Sequence, residues 1–453
     1  MRTESAVCAL PGEVTDNIID HLHADTETLR ATALVSRSWL PSSQHHLFYI
    51  TRCQCTTPGK GFTEFVAWSS SAQYAPAHIK ILIVEGEFTD SYDPNQTNRP
   101  EICVQDAELA LSQLTSLEGL VFRGVTLMSR VPAGEVYRPS SRCALNTLSL
   151  WLIAAADTTF SPVFHLLSLF SEVNQLSFLD LECTWTTDIA TAISLALQAA
   201  PLDSVQHIPQ VASLILHSRD CEDERWNGYR GILHLVRHAQ PKWQLKKLLP
   251  SIPSIGLEDV LRHFIPACEA TLTCLVIQAP VYACADIART NARPQIPALP
   301  SFAQCRCLEE LELWVITRTP TSDEDRLQVG VLYDHTLALN VEVVLAAPRT
   351  LRTVQITVTH VGRYDLATSD LLAGSSNWSR LDDALCGLEK AEIVCVIAGD
   401  FSVVHSRPAH RIFDMSSLEM PTVASDERIP LLLRMLPRVQ ASGRLKFGLL
   451  SMG

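Results

Sequence analysis

The sequence predicts an α/β protein: three short amino-terminal helices, then an irregular solenoid of strand-and-helix units on a curved parallel sheet. Three observations predict it. Residues 10 to 52 place apolar side chains at helical spacing between capping residues. From about residue 78 short apolar strands alternate with apolar helical stretches, and the strands repeat one form, apolar at the first, fourth and sixth positions. Hydrophobic residues make up 47% of the 453 and charged residues 19%, a balance that fits ordered structure and a chain too long for one core.

The first helix opens at Leu10, Pro11 and Glu13, where a proline needs no amide donor and an acid suits the helix dipole. Val14, Ile18, Ile19 and Leu22 form its apolar stripe, which leaves Asp16, Asn17, Asp20 and His21 for solvent. Asp25 caps a second helix with the stripe Leu29, Ala33 and Leu34, and the step from Ser36 to Ser38 ends it. Trp39 and Leu40 begin a third piece, closed by Leu47, Phe48 and Ile50. So short a segment cannot bury all of these side chains by itself, and part of its surface is expected to need a partner.

The Leu-Pro-x-Glu-Val opening, the Ile18-Ile19 pair and the Val35-x-Arg37-x-Trp39 step resemble an F-box, the motif that docks on the Skp adaptor of Skp/cullin/F-box ubiquitin ligases. The likeness covers residues 9 to 52. It departs at Ser36, where a cysteine is common, and in a slightly long turn at Ala24 to Thr28. The resemblance implies that Leu10, Pro11, Ile18, Leu22, Leu34, Val35 and Trp39 form or support the adaptor interface, with a cullin reached through the adaptor. The plainer alternative is a helical cap whose apolar residues belong to its own core.

Residues 53–77, with Pro58, Gly59, Gly61 and Pro76, read as a connection holding one helical turn around Phe62 to Trp68. The array then runs over 78–453. Its strand triplets are Leu117, Leu120, Phe122; Leu145, Leu148, Leu150; Val173, Leu176, Phe178; Val211, Leu214, Leu216; Leu272, Leu275, Ile277; Leu308, Leu311, Leu313; and Leu351, Val354, Ile356. Weaker members are His78, Ile81, Ile83, then Leu388, Ala391, Ile393, then Leu445 with Phe447. The long interval after residue 216 hides a degenerate unit near Leu245 and Leu248. Helices are expected at 106–114, 162–170, 188–199, 232–238, 257–265, 337–345, 378–385 and 430–436, with loops at 88–101, 130–142, 284–303 and 318–328.

A strand-helix unit cannot cover its own apolar face, so stacking neighbours must complete the core. This resembles the leucine-rich repeats that follow an F-box in many substrate receptors, and the combination is similar to F-box proteins abundant in mushroom-forming fungi. It departs in lacking the asparagine that normally follows each strand and in the irregular spacing. An ordinary α/β domain pair is the competing fold. On a curved sheet, residues between and just after the apolar positions face a target: Arg123, Trp151, His217, Glu312, Trp314 and Gln355, with Gln278, Glu310, Thr357 and Glu392 beside them. Trp151 and Trp314 either anchor a partner or pack beneath neighbouring loops.

The formal charge of -13 disfavours nucleic acid as a partner. The fourteen scattered cysteines and an opening without a long apolar run point to reduced, buried thiols and a cytoplasmic or nuclear protein. No window holds 18 uninterrupted apolar residues, so no membrane span is expected. Asn95-Gln-Thr97 and Asn377-Trp-Ser379 match the glycosylation pattern by chance. Metal sites fare poorly: His21 and His23 do not share a helix face, His234 and His238 lack the glutamate of a zinc hydrolase, and Cys53/Cys55 and Cys305/Cys307 have one-residue spacings. Gly59-Lys60-Gly61 is not a phosphate loop, no serine sits in a nucleophile elbow, and Asp323-Glu324-Asp325 reads as a solvated loop. No catalytic residue, metal or cofactor is expected. The resemblance implies a non-catalytic substrate-recognition subunit for an unidentified protein target; a repeat scaffold with an F-box-like cap is the alternative.

Overall fold

In a computed structural model, the structure describes residues 11–23, 25–56, 61–72, 74–86, 99–131, 137–155, 161–179, 208–217, 244–251, 260, 264–278, 302–318, 323–361, 374–400 and 428–450. It is mixed α/β. Three helices come first, α1 (Gly12–His21), α2 (Thr26–Val35) and α3 (Leu40–Tyr49), and α3 passes directly into strand β1 (Ile50–Cys55). Next come α4 (Phe62–Ser71), a 3-10 turn (Ala75–His78), β2 (Ile81–Gly86), β3 (Glu101–Cys103), α5 (Val104–Gln113), β4 (Gly119–Arg123), β5 (Thr126–Met128), β6 (Cys143–Trp151), β7 (Ala154–Ala155), α6 (Ser161–Ser168) and β8 (Phe170–Leu179). The remaining elements are β9 (Gln210–His217), β10 (Lys247–Ser251), α7 (Ile265–Cys268), β11 (Cys274–Ile277), β12 (Glu310–Arg318), α8 (Asp323–Ala346), β13 (Thr353–Val361), α9 (Asn377–Cys386), β14 (Glu392–Asp400), α10 (Arg428–Met435), α11 (Pro437–Ala441) and β15 (Leu445–Leu450).

Twelve strands form one parallel sheet in chain order, and β3, β5 and β7 form a separate three-stranded sheet. Neighbouring strands that run parallel need a crossover each time, which is why helices recur between them. Two compact units divide within β8, after Val173.

In the first unit, Leu82, Leu120 and Leu148 align across β2, β4 and β6, and Val84, Phe122 and Leu150 form the next row. All six are essentially inaccessible. In the second, one apolar row crosses seven strands: Leu214, Leu248, Leu275, Leu311, Val354, Ile393 and Leu445. The expected degenerate unit near Leu245 and Leu248 is β10, with both leucines fully buried.

A backbone ladder sets these rows. The carbonyl of Lys80 accepts the N–H groups of Glu118 and Gly119 at 2.7 and 2.9 Å, and that of Glu118 accepts those of Asn146 and Thr147 at 2.8 and 3.0 Å. The second unit repeats the device: Lys246 accepts from Thr273 and Cys274, Thr273 from Glu309 and Glu310, Glu309 from Arg352 and Thr353. One oxygen with two lone pairs thus holds two consecutive donors of the next unit.

Several expectations change. Residues 53–77 are not a simple connection, because Ile50–Cys55 pairs with β2 over its whole length and Phe62–Ser71 is a ten-residue helix. Cys53 and Cys55 point inward on β1, while Phe62, Phe65 and Val66 bury the matching face of α4. The early triplet is Ile79, Leu82, Val84, one residue beyond the expected His78, Ile81, Ile83, and such a slip exchanges the two faces of a strand. At the far end Ile393 and Cys395 pair with Val354 and Ile356, two residues beyond the expected positions.

The expected 318–328 loop is helical from Asp323 onward, where α8 begins. Glu101, expected to end a loop, instead begins Glu101–Cys103, the first strand of the small sheet. The helices expected at 188–199 and 232–238 lie outside the described residues, as do most of 257–265 and of the 88–101 and 284–303 loops.

Val329–Ala346 within α8 is long and apolar enough by composition to cross a membrane, with a mean hydropathy of 1.3, yet 65% of it is buried inside the protein. A helix apolar on every side belongs in a core. Ten cysteines among the described residues are free thiols, and burial pushes those of Cys274 and Cys395 up to about 12.

Gly61 joins β1 to α4 at a φ of 86°, and a Cβ there would lie 2.6 Å from the Gln54 carbonyl oxygen. Neither the left-handed backbone nor the contact tolerates a side chain. Gly61→Ala is expected to destabilise the first unit by about 2 kcal/mol, seen as an earlier urea midpoint in far-UV dichroism; an unchanged midpoint would contradict the assigned turn.

Candidate docking site

The three leading helices pack through small side chains. Thr15 and Ile19 on α1, Leu29 and Thr32 on α2 and Ser43 on α3 are buried. Thr32 Oγ1 donates to the Leu29 carbonyl at 2.9 Å and lies 3.0 Å from Ser43 Oγ, so these buried hydroxyls are satisfied. Asp25 caps α2 as expected: it accepts from Thr28 N at 3.0 Å and Thr28 Oγ1 at 2.6 Å, bonds that hold its carboxyl below the usual range. Ser38 N donates to Ser36 Oγ at 3.0 Å just beyond the end of α2.

The acidic face of α1, expected to be wet, is where α3 attaches. Asp16 accepts from Ser42 Oγ, and Asp20 Oδ1 lies 2.8 Å from His46 Nε2. Because α1 spends that face on α3, the opposite face stays open. Val14 is 41% and Ile18 38% exposed.

At the end of α2, Leu34 is 88% and Val35 68% exposed. Pro11 is exposed, Leu22 and Trp39 are half-buried, and Leu10 lies outside the described residues. Covering a Leu or Val side chain is worth about 2 kcal/mol. Exposed apolar groups along α1 and at the end of α2 therefore suit contact with another surface better than contact with water.

The residues expected to face a target divide. In the first unit Glu85, Arg123 and Trp151 align across β2, β4 and β6. The Arg123 guanidinium sits over the Trp151 ring, 4.0 Å from its centroid, and reaches Glu85 at 3.3 Å, while Arg52 on β1 approaches the same carboxylate at 3.5 Å. Arg52 and Glu85 were missed. With the register corrected by one residue, Glu85 follows the sixth position of its strand as Arg123 and Trp151 follow theirs.

In the second unit the same side of the sheet is largely closed. Trp314 and Glu312 are 6% and 8% exposed, so neither stands out as a surface anchor. Trp314 Nε1 donates to Glu312 Oε1 at 2.7 Å, Thr357 Oγ1 donates to that oxygen at 3.2 Å, and Gln355 Nε2 donates to Thr357 Oγ1 at 3.0 Å. Gln278, Thr357 and Thr359 are also buried, Gln355 is half-buried, and His217 Nδ1 lies 2.9 Å from Ser251 Oγ. The signal for closure is in the strands themselves: Leu311 to Ile316 and Ile393 to Ile397 run nearly continuously apolar, as strands buried on both faces do.

No family model matches the sequence, and no match to a curated protein is found. Among the described residues no three His, Cys, Asp or Glu side chains are placed to hold a metal ion. The candidate site therefore rests on the geometry of the helices and sheet.

Burial raises the carboxyl of Glu312 above the ordinary carboxylate range, opposed by Lys247 and by the bonds from Trp314 and Thr357. The folded protein then binds a proton more tightly than the unfolded chain, so stability falls as pH rises through the ordinary value toward the folded one. Glu312→Gln is expected to be more stable than the parent at about pH 8 and equal to it at about pH 4, as read by thermal melts at the two pH values. A difference independent of pH would refute this.

Proposed function

We propose that this chain is a substrate-recognition subunit of a Skp/cullin/F-box ubiquitin ligase: the leading helices act as the F-box, and the strand-helix units are irregular leucine-rich repeats that receive a protein target. The observation that carries the reading is the exposure of the motif residues Leu34 and Val35 at the end of α2, together with that of Pro11 and Ile18 at α1. Such side chains supply the apolar centre of an interface. The chain contributes position and no chemistry. Holding target and conjugating machinery together raises their effective concentration, which needs no ionisable group from this subunit. The reading places it in the cytoplasm or nucleus, with a cullin engaged through the adaptor.

For target contact the first unit offers the better surface, since Arg52, two residues before the β1 position aligned with Glu85, is 55% exposed and reaches the Glu85 carboxylate beside Arg123 and Trp151, whereas Glu312 and Trp314 are interior.

A second reading has an observation in its favour. α3 continues into β1 without a spacer, and Lys80 N donates to the Tyr49 carbonyl at 3.1 Å, so these helices also close the first strand of the sheet. Repeat arrays need such caps. Co-expression with a Skp-type adaptor is expected to raise soluble yield if the helices dock, and to leave it unchanged if they only cap.

The direct test is Leu34→Asp with Val35→Asp. Both side chains are largely solvated, so the far-UV spectrum should be preserved while adaptor capture falls by at least roughly tenfold, the loss of two apolar contacts of about 2 kcal/mol each being more than enough. Undiminished capture would overturn the assignment.

A further inference from the structure

Four imidazoles gather where α3 meets the turn Ala75–His78. His45 and His46 on α3 have ring centroids 5.2 Å apart, His78 lies 6.3 Å from His45, and His23, just beyond α1, lies 6.5 Å from His46. Tyr49 stands edge-on to His45 at 6.0 Å.

The charged groups around this cluster are few. Two carboxylates of α1 meet α3: Asp20, at 2.8 Å from His46 Nε2, and Asp16, which accepts from Ser42 Oγ one turn earlier. From beyond the turn comes Lys80, whose ammonium is held by Glu118 at 2.8 Å. α2 meets α3 through the Thr32 and Ser43 hydroxyls. His23 Nδ1 lies 2.7 Å from the Asp20 carbonyl, a backbone acceptor that brings no charge.

We propose that this cluster is a proton-operated latch: with the imidazoles neutral, α3 rests against the turn that leads into β2, and with more than one protonated, repulsion loosens the leading helices. The balance of charge gives the reason. Asp20 is the carboxylate at the rings, and it is already engaged by His46. A proton on His45 faces His46, His78 and Lys80 with only that carboxylate to offset them.

Burial first, then the fields of His46, His78 and Lys80, keep the His45 imidazole below its ordinary value despite Asp20. The folded state therefore binds fewer protons than the unfolded chain. Its stability is fully present above the ordinary imidazole value, about 6.5, and declines as pH falls through it. The latch stands apart from the ligase reading, because it concerns how the helices are held and not what they meet.

The test is amide hydrogen exchange on the full chain at about pH 7.5 and 5.8, corrected for intrinsic rates. Protection of residues 40–49 is expected to fall several-fold on acidification, up to the ceiling of about fivefold that one imidazole of ordinary value near 6.5 allows over this interval, while β13 and β14 keep theirs. His45→Gln with His78→Gln should abolish that loss; an equal loss in the double variant, or none in the parent, overturns the latch. Should the double variant fold poorly, the parent in about 0.5 M salt decides, since screening should blunt a repulsive opening. Loss undiminished by salt also overturns it.

Discussion

A carbonyl oxygen just ahead of β2, β4, β10, β11 and β12, gripped by two successive amides of the following unit, is the constraint from which the rest of the large sheet follows. It belongs to the backbone, so it asks nothing of the side chain at that position: Lys80, Glu118, Lys246, Thr273 and Glu309 all serve. Repeats joined in this way need not share a polar signature residue. The crossovers are free to vary in length because the register is set locally, at the entry to each strand, before the intervening chain matters. Once that register is fixed, the apolar fourth and sixth positions fall into rows, and their burial supplies the stabilisation.

The leading helices obey a different economy. Their shared interior is made of Thr15, Thr32, Ser43 and two aliphatic side chains, Ile19 and Leu29. A core so narrow, with hydroxyls that must bond to one another, has no room for Val14, Ile18, Leu34 or Val35. Those side chains are left outside by geometry. Asp16 and Asp20 enforce the same outcome by turning the acidic side of α1 toward Ser42 and His46.

Much of this was legible in the chain. The triplets from Leu117 to Ile356 were readable because apolar residues at fixed offsets survive even when the spacing between units does not, and β10 could be inferred from Leu245 and Leu248 alone. Caps were equally plain at Asp25 and Ser36. What misled was local ambiguity. Ile79 to Val84 is apolar at nearly every position, so periodicity could not choose between two registers one residue apart, and Glu85 was lost with the wrong choice. Thr51 and Cys53 were too polar or too small to announce a strand, which hid β1 behind the helices. Trp314 looked like a surface aromatic because alternation was assumed on a strand that lacks it; the unbroken apolar run Leu313 to Ile316 was the better guide. The closeness of His23, His46 and His78 depends on tertiary approach and leaves no trace in spacing.

Between Tyr49 and Ile50 no residue is spent on a tether. Helix and strand meet end to end, so α1 to α3 stand on the first strand as on a bracket, with their bearing set by the peptide plane and not by the sweep of a flexible arm. Whatever rides on those helices is thereby held at one angle to the adjoining sheet face, and a few added glycines at that joint would turn a rigid mount into a hinge.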